Sequence, residues 1–202
     1  MSTPSTSKSI KPEIYGKNSK QLGKPPAVAL VNPRFPHNVG AAVRAASCFG
    51  VSQVWFTGDR MSLDLEKRKR LPREERMKGY KDVDLIQFDH FFDQFPADTV
   101  PVAIELRPNA EALPAFVHPE KALYIFGPED GSIPQVMLRN CHRFVVIPTR
   151  HCVNLAAAVY LVLYDRQTKM SPELTIGDCL NERRFDFPEN VELASDLGLV
   201  SV

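Results

Sequence analysis

The sequence predicts an α/β fold in which a mainly parallel sheet is flanked by helices. Short runs of β-branched and aliphatic residues alternate with helical patterns, which is typical of strands joined by crossover helices. The chain has 202 residues, 44% of them hydrophobic, and can bury a core without disulfides or a structural metal. The predicted strands are Ala27 to Val31, Val54 to Thr57, Leu85 to Phe88, Val100 to Leu106, Ala122 to Phe126 and Phe144 to Ile147.

The chain divides into three segments. Residues 1–25 are rich in Ser, Thr and Lys and end in two prolines, so we expect a flexible basic arm. Residues 26–168 contain all the predicted strands and form the folded domain. Residues 169–202 mix acidic residues with isolated hydrophobic ones, and we assign this C-terminal extension no function.

Between the first two strands the sequence predicts a helix from Val39 to Phe49. Asn38 is the expected N-cap, and Gly50 is the expected left-handed residue after the C-terminus. Arg44 lies off the apolar stripe, so its guanidinium can project toward solvent or a ligand at the carboxyl edge of the sheet. The stripe, spaced for a helix that packs on a sheet, is Val39, Ala42, Val43, Ala46 and Phe49.

The helix that follows Asn154 is apolar on every side from Leu155 to Tyr164. We therefore expect it to be buried all round. A helix on one face of a small sheet buries only one of its own sides, so a second subunit is expected to cover the other. The sequence thus predicts a homodimer.

Several sequence features restrict the expected cellular compartment and the expected kinds of site. The longest apolar run has ten residues, whereas a membrane span needs roughly 20. The N-terminus has no apolar segment of the signal-peptide type, so we expect a cytoplasmic protein. The four cysteines include no Cys-x-x-Cys pair and the five histidines no His-Glu-x-x-His arrangement, so we expect no metal site.

Positive charge is concentrated in two segments. Residues 1–24 hold five lysines against one acid, and residues 60–81 hold nine lysines and arginines against four acids. Because the net charge of the chain is only +1, the remainder is acidic. This asymmetry favours a localised anionic partner, with RNA or DNA first; the alternative is a solvated tail and a solvated loop. Candidate phosphate contacts in the second segment are Lys67, Arg68, Arg70 and Arg73.

Three Gly-, Pro- or Asn-rich blocks follow predicted strands: Asn32 to Ala46, Tyr124 to Pro134 and Val145 to Ala156. Each one alone is explained by a helix cap, a turn or a surface cation. Together, at one sheet edge, they can form a pocket of backbone groups for a small polar cofactor. Neither a Gly-x-Gly-x-x-Gly nor a phosphate-binding Gly-x-x-x-x-Gly-Lys motif occurs.

The order of these motifs resembles the SpoU/TrmH-type class of SPOUT RNA methyltransferases. The matching elements are Asn38-x-Gly-x-x-x-Arg44, Phe-Gly-Pro-Glu129, and Ile147-Pro followed by Asn154-Leu and an Ala-rich helix. The resemblance covers Ala27 to about Gln167 and makes residues 26–168 a SPOUT-like methyltransferase domain. It implies a C-terminal trefoil knot, an S-adenosylmethionine pocket in the knotted loops, and a dimer whose two chains complete each active site.

Carried over by position, the resemblance also implies roles for individual residues. Arg44, Glu129 and Asn154 correspond to catalytic positions. Cys152 stands where a serine is common, Gly131 is shifted from the usual glycine, and Glu105 replaces a small neutral residue. The implied cofactor-binding residues are Ile104, Gly127, Ile147, Cys152 and Leu155, and the first motif adds Arg34, His37 and Asn38 as RNA-binding residues.

The implied activity is S-adenosylmethionine-dependent methylation of an RNA ribose 2′-hydroxyl. Ribosomal RNA members typically carry a separate N-terminal RNA-binding domain, so tRNA is the more expected substrate and rRNA the less. Arg44 stays protonated and is expected to bind a phosphate and polarise the 2′-oxygen, with a literal base as the second hypothesis. The alternative function is a non-catalytic RNA-binding or assembly protein that keeps the knotted fold; methylation of a base or small molecule also stays open.

Overall fold

The computed structural model of the protein describes residues 11–15, 21–60 and 82–171. The predicted phosphate contacts at residues 67–73 and nearly all of the C-terminal extension lie outside these ranges. The strands are β1 Glu13–Tyr15, β2 Ala27–Leu30, β3 Gln53–Phe56, β4 Asp84–Gln87, β5 Val100–Ile104, β6 Glu111–Ala112, β7 Ala122–Phe126 and β8 Arg143–Val146. The helices are α1 Pro36–Cys48, α2 Gln135–Leu138 and α3 Leu155–Met170.

All eight strands form one sheet in the order β1-β4-β3-β2-β7-β5-β8-β6. Only β1 pairs antiparallel, with Ile14 opposite Ile86, and the other pairings among these strands are parallel. The prediction of a mainly parallel sheet is confirmed, and all six predicted strands are present. Strand order and register alone do not establish a knot, so the trefoil knot stays a prediction.

Two hydrophobic clusters, one on each face of the sheet, explain why β2 is apolar along its whole length. Val28 and Leu30 of β2 face a cluster that includes α1 and α3. Ala27 and Ala29 face a second cluster that includes Phe91 and the α2 region. Because both faces of β2 are covered, its residues are all buried, as is usual in parallel sheets.

Part of the predicted flexible arm belongs to the sheet. Residues 13–15 form β1 along the edge of β4, which β1 protects from exposure. Nearer the first core strand, the Gln53 side chain donates to the carbonyl of Gln21 and accepts from the backbone N–H of Lys24. The folded region therefore begins before residue 26.

The predicted N-cap of α1 is wrong, whereas its predicted C-terminus is confirmed. The helix begins at Pro36, whose ring is suited to the first helical turn, and Phe35 occupies the N-cap position. Asn38 lies inside the first turn and is only 2% exposed. At the other end Gly50 has a positive φ of 69°, and the N–H of Val51 returns to the carbonyl of Ala46 at 2.9 Å.

The α3 helix is not buried all round in the single chain. One face packs against α1 and the sheet, while Leu161 and Tyr164 are 40% and 60% exposed. The helix also continues beyond the apolar run to Met170. None of the described helices is long and apolar enough to cross a membrane.

Candidate active site

The three sequence blocks meet at one edge of the sheet. Strands β2, β7 and β8 run parallel, so the loops that follow them leave at the same carboxyl edge. A chain of side-chain hydrogen bonds joins these loops through Asn38, Glu129 and Asn154. The structure thus brings together one residue from each predicted motif.

Glu129 is the centre of this network. Its Oε2 accepts a hydrogen bond from the backbone N–H of Arg34 at 2.8 Å, and its Oε1 accepts one from the Asn38 amide at 2.6 Å. A longer bond of 3.4 Å reaches Oε1 from the N–H of Phe35. Burial alone would raise the pKa of Glu129, but these donors outweigh it and hold the pKa below its ordinary value. The ionised carboxylate therefore fixes the loop between β2 and α1.

Asn154 both caps α3 and extends the network. Its Oδ1 accepts hydrogen bonds from the backbone N–H groups of Ala156 at 2.9 Å and Ala157 at 3.3 Å. Its Nδ2 donates to Asn38 Oδ1 at 3.0 Å. Asn38 is buried and both ends of its amide are used within this network, so it positions the network; its RNA-binding role stays a prediction.

Arg44 is exposed on α1 and makes no hydrogen bond or ion pair with any residue in the described ranges. Its predicted projection away from the core is confirmed. Glu129 does not hold Arg44 directly, because the acceptor bonds of this carboxylate go to Asn38 and to the loop before α1. The start of the helix that carries Arg44 is therefore fixed. The Arg44 guanidinium itself has no competing partner among the described residues.

The predicted cofactor residues lie at the ends of β5, β7 and β8, which are neighbours in the sheet. Ile104 and Ile147 are partly buried against the core, and Leu155 begins α3. A Cβ on Gly127 would approach the Ile133 backbone nitrogen to 3.2 Å, so the loop after β7 folds tightly over this position. Aliphatic side chains beside exposed loop backbone suit a cofactor with a flat ring and polar edges.

Glu105 has a structural role that the sequence did not show. Its Oε2 accepts a hydrogen bond from the backbone N–H of Ile133 at 2.9 Å, while its own N–H donates to the carbonyl of Val145 at 3.0 Å. The side chain thus ties the end of β5 to the loop after β7. This departure from the motif therefore stabilises the loop after β7.

Two arginines share one carboxylate at the same edge, a grouping that the sequence did not indicate. Arg60 binds Asp130 through two hydrogen bonds, Nη1 to Oδ1 at 2.8 Å and Nη2 to Oδ2 at 2.6 Å. Arg34 Nη1 lies 3.6 Å from the same carboxylate. The hydrogen bonds from Arg60 lower the pKa of Asp130. Arg60 opens the basic segment 60–81, so this pairing anchors the start of that segment beside the site.

Comparison with known proteins assigns the class. The fold is that of the SpoU/TrmH-type SPOUT RNA methyltransferases. Residues 25–164 match the SpoU rRNA Methylase family, and the chain belongs to that family. It is therefore an RNA methyltransferase of the SpoU type, for which S-adenosylmethionine is the methyl donor. No curated protein sequence gives a significant match.

Solved structures show the same fold. One, described as giving insights into the 2-OH methylation of C/U34 on tRNA, is 25% identical, with a TM-score of 0.61 over 72% of this chain and 96% of that one. The SpoU methyltransferase AviRb of Streptomyces viridochromogenes, bound to AdoMet, is 16% identical, with a TM-score of 0.61 over 71% and 60%. The A. aeolicus TrmH/SpoU tRNA-modifying enzyme is 16% identical, with a TM-score of 0.61 over 83% and 88%.

Proposed function

We propose that the protein methylates a ribose 2′-hydroxyl of RNA, and that tRNA is favoured over rRNA as its substrate. The observation that carries the proposal is that the Arg44 side chain is exposed and unpaired among the described residues. By contrast, Asn38, on the same helix, is held by Glu129 and Asn154. An unpaired arginine on a fixed helix is suited to bind phosphate.

The preference for tRNA is supported by the extent of the structural match. The neighbour concerned with 2-OH methylation on tRNA is matched over 96% of its length, whereas a neighbour described as an rRNA methyltransferase from Sinorhizobium meliloti is matched over 54%. The region of this chain that matches therefore accounts for nearly all of the neighbour concerned with tRNA.

The cofactor supplies a methyl group activated by its attachment to a positively charged sulfur. We assign Ile104, Gly127, Ile147, Cys152 and Leu155 to hold it at the carboxyl edge of the sheet. Glu105 keeps the two loops around this position together through the N–H of Ile133. Cys152 is exposed in the loop before α3, where its thiol can only form weaker hydrogen bonds than a serine hydroxyl.

The protein contributes mainly positioning to this reaction. Methyl transfer requires the acceptor oxygen, the methyl carbon and the sulfur to lie in line, and such alignment supplies much of the acceleration. Arg44 binds the phosphate next to the target ribose and polarises the 2′-oxygen, and the hydroxyl proton passes to water as the new C–O bond forms. Glu129 and Asn154 act through Asn38 by fixing α1 and α3 relative to each other.

We assign RNA binding to basic residues of the chain. Arg34 is exposed at the carboxyl edge of the sheet, and Arg60 starts the basic segment that contains the candidate contacts Lys67, Arg68, Arg70 and Arg73. Each phosphate that is neutralised steepens the salt dependence of binding by roughly 0.7 to 0.9 in the log–log slope. Reversing the charges of Lys67, Arg68 and Arg70 is therefore expected to flatten that slope.

The deciding experiment combines cofactor binding with product analysis. Purified protein is titrated with S-adenosylmethionine and S-adenosylhomocysteine, and tritiated methyl transfer to bulk tRNA and rRNA is then measured. Alkaline hydrolysis of the labelled RNA identifies the position, because a 2′-O-methyl group blocks cleavage of the adjacent phosphodiester. We expect micromolar binding and label in alkali-resistant dinucleotides from tRNA, abolished by Arg44→Ala.

The alternative function predicts a different result. A non-catalytic RNA-binding protein would bind RNA but neither cofactor. Label in alkali-sensitive mononucleotides would instead indicate base methylation. The support that Glu105 gives to the cofactor loops favours the enzyme.

A further inference from the structure

Three planar side chains are in contact at the start of α1. The imidazole of His37 stacks on the ring of Phe35, with centroids 5.3 Å apart and planes inclined by 22°. The guanidinium carbon of Arg34 lies 5.1 Å from the centroid of the same ring. All three residues are exposed, and the Phe35 residue is 39% accessible to solvent. We call this group the Phe35 stack.

The core does not account for the Phe35 stack. Phe35 belongs to neither hydrophobic cluster of the described residues. Among the large hydrophobic side chains exposed in those ranges, only Phe35 and Tyr164 are aromatic, and Tyr164 is in edge contact with Phe49 on the α3 side. An exposed aromatic ring flanked by cationic and imidazole groups is the composition that binds nucleic-acid bases.

The backbone beneath the stack is fixed before any ligand binds. The Glu129 carboxylate accepts hydrogen bonds from the N–H groups of both Arg34 and Phe35, and Asp130 lies 3.6 Å from the Arg34 guanidinium. Pro36 restricts the chain between the two rings. Little conformational entropy is therefore lost when a ligand stacks on these groups.

The stack also lies close to the proposed reaction centre. His37 and Arg44 are seven residues apart on α1, which places them on the same face and roughly 10 Å apart along the axis. Nucleotides that are neighbours along one RNA strand can therefore reach both positions.

We propose that Arg34, Phe35 and His37 form a platform on which an unpaired RNA base stacks, next to the ribose that is methylated. The platform restricts the substrate to RNA that is single-stranded at the target, because a base inside a duplex has both of its faces covered by its neighbours. This inference rests on the proposed function and adds Phe35 as a specificity-determining residue.

The test compares RNA binding by Phe35→Leu, which keeps apolar volume but removes the aromatic face, with binding by the wild type. The probes are a fluorescein-labelled single-stranded oligouridylate, the same strand paired with oligoadenylate, and an oligouridylate carrying one 2-aminopurine. Stacking of a base on an aromatic side chain contributes about 1–3 kcal/mol, so single-strand affinity should fall roughly 5- to 150-fold. Duplex affinity should not change.

The spectroscopic signal separates stacking from a merely structural effect. Wild-type protein should quench the 2-aminopurine fluorescence. Phe35→Leu should not quench it even at a saturating protein concentration. Phe35→Trp should restore both quenching and affinity. His37→Ala should weaken quenching without altering S-adenosylhomocysteine binding. Val117→Ala is the control, because Val117 is 75% exposed and precedes β7, away from the carboxyl edge.

Two outcomes overturn the platform: unchanged single-strand affinity and quenching in Phe35→Leu, or an equal loss of single-strand and duplex binding. These are distinct from failure of the proposed function, which would appear as absence of ribose methylation by the wild-type protein. Because quenching is measured without turnover, it tests the platform whether or not the wild-type protein methylates ribose.

Discussion

At the scale of single residues, Asn154 combines two functions in one side chain. Its oxygen caps α3, while its nitrogen donates to Asn38. A substitution that removes both will lose stability and activity together. Substitutions that separate the oxygen from the nitrogen are therefore the informative ones.

We predict that Asn154→Ser and Asn154→Ala differ in stability but not in activity. Serine caps helices about as well as asparagine, whereas alanine costs about 1 kcal/mol. Neither side chain reaches Asn38 with an N–H donor, so both should lower methyl transfer strongly. Urea denaturation and tritium incorporation measure the two effects. Full activity in Asn154→Ser would show that the link to Asn38 is not needed.

Glu105 gives a second prediction at this scale. Glu105→Ala leaves the N–H of Ile133 without its acceptor and frees the loop after β7. We expect the Kd for S-adenosylhomocysteine to rise roughly 10-fold, which corresponds to about 1.4 kcal/mol. RNA affinity should not change. Calorimetry of Glu105→Ala beside Glu120→Ala, an exposed acid before β7, checks this; equal affinities in the two variants would contradict it.

At the scale of elements, local rules predicted the sheet better than the site. The core strands are built on short apolar runs, uninterrupted in β2 and β7, and such runs are visible in a sequence. The start of α1 was placed wrongly because the Asn38 amide is used by Glu129 and Asn154, 91 and 116 residues away along the chain. The roles of Glu105 and Asp130 likewise come from partners that no spacing rule indicates.

The attachment of α3 to the sheet contains a buried histidine. His118 Nδ1 lies 2.6 Å from the Tyr124 hydroxyl, and Nε2 lies 2.8 Å from Asp165 of α3. Both contacts are satisfied by a neutral ring, since Tyr124 can donate to Nδ1 while Nε2–H donates to Asp165. Arg166 donates to the same hydroxyl at 3.3 Å, and Lys169 pairs with Asp165. Burial raises the pKa of Tyr124 to about 12, so the hydroxyl stays protonated.

This arrangement predicts a loss of stability in mild acid. Burial lowers the pKa of His118 and outweighs the hydrogen bond to Asp165, so the unfolded chain binds a proton more readily than the folded one. The free energy of unfolding should therefore fall as the pH drops below the ordinary value of 6.5, until the folded-state pKa is reached. Urea denaturation between about pH 7.5 and 5 should show a shallower fall for His118→Gln. Parallel curves for the two proteins would assign the fall to other groups.

At the scale of the whole molecule, the exposed apolar face of α3 bears on how the protein assembles. Leu161 and Tyr164 leave apolar surface on a helix that also packs on α1. Contiguous exposed apolar surface is typical of protein interfaces. The homodimer expected from the sequence would cover this face, and the family resemblance implies that each active site then draws on both chains.

We therefore predict that Leu161→Glu combined with Tyr164→Glu converts a homodimer into a folded monomer. Two buried carboxylates without partners would strongly oppose association. Sedimentation velocity at micromolar concentration should give a dimer for the wild type and for Val117→Glu, and a monomer for the double variant. The monomer should keep its melting transition and lose methyl transfer, since the family resemblance implies that both chains complete each site. A monomeric wild type would refute the dimer, and an active monomer would show that one chain completes the site.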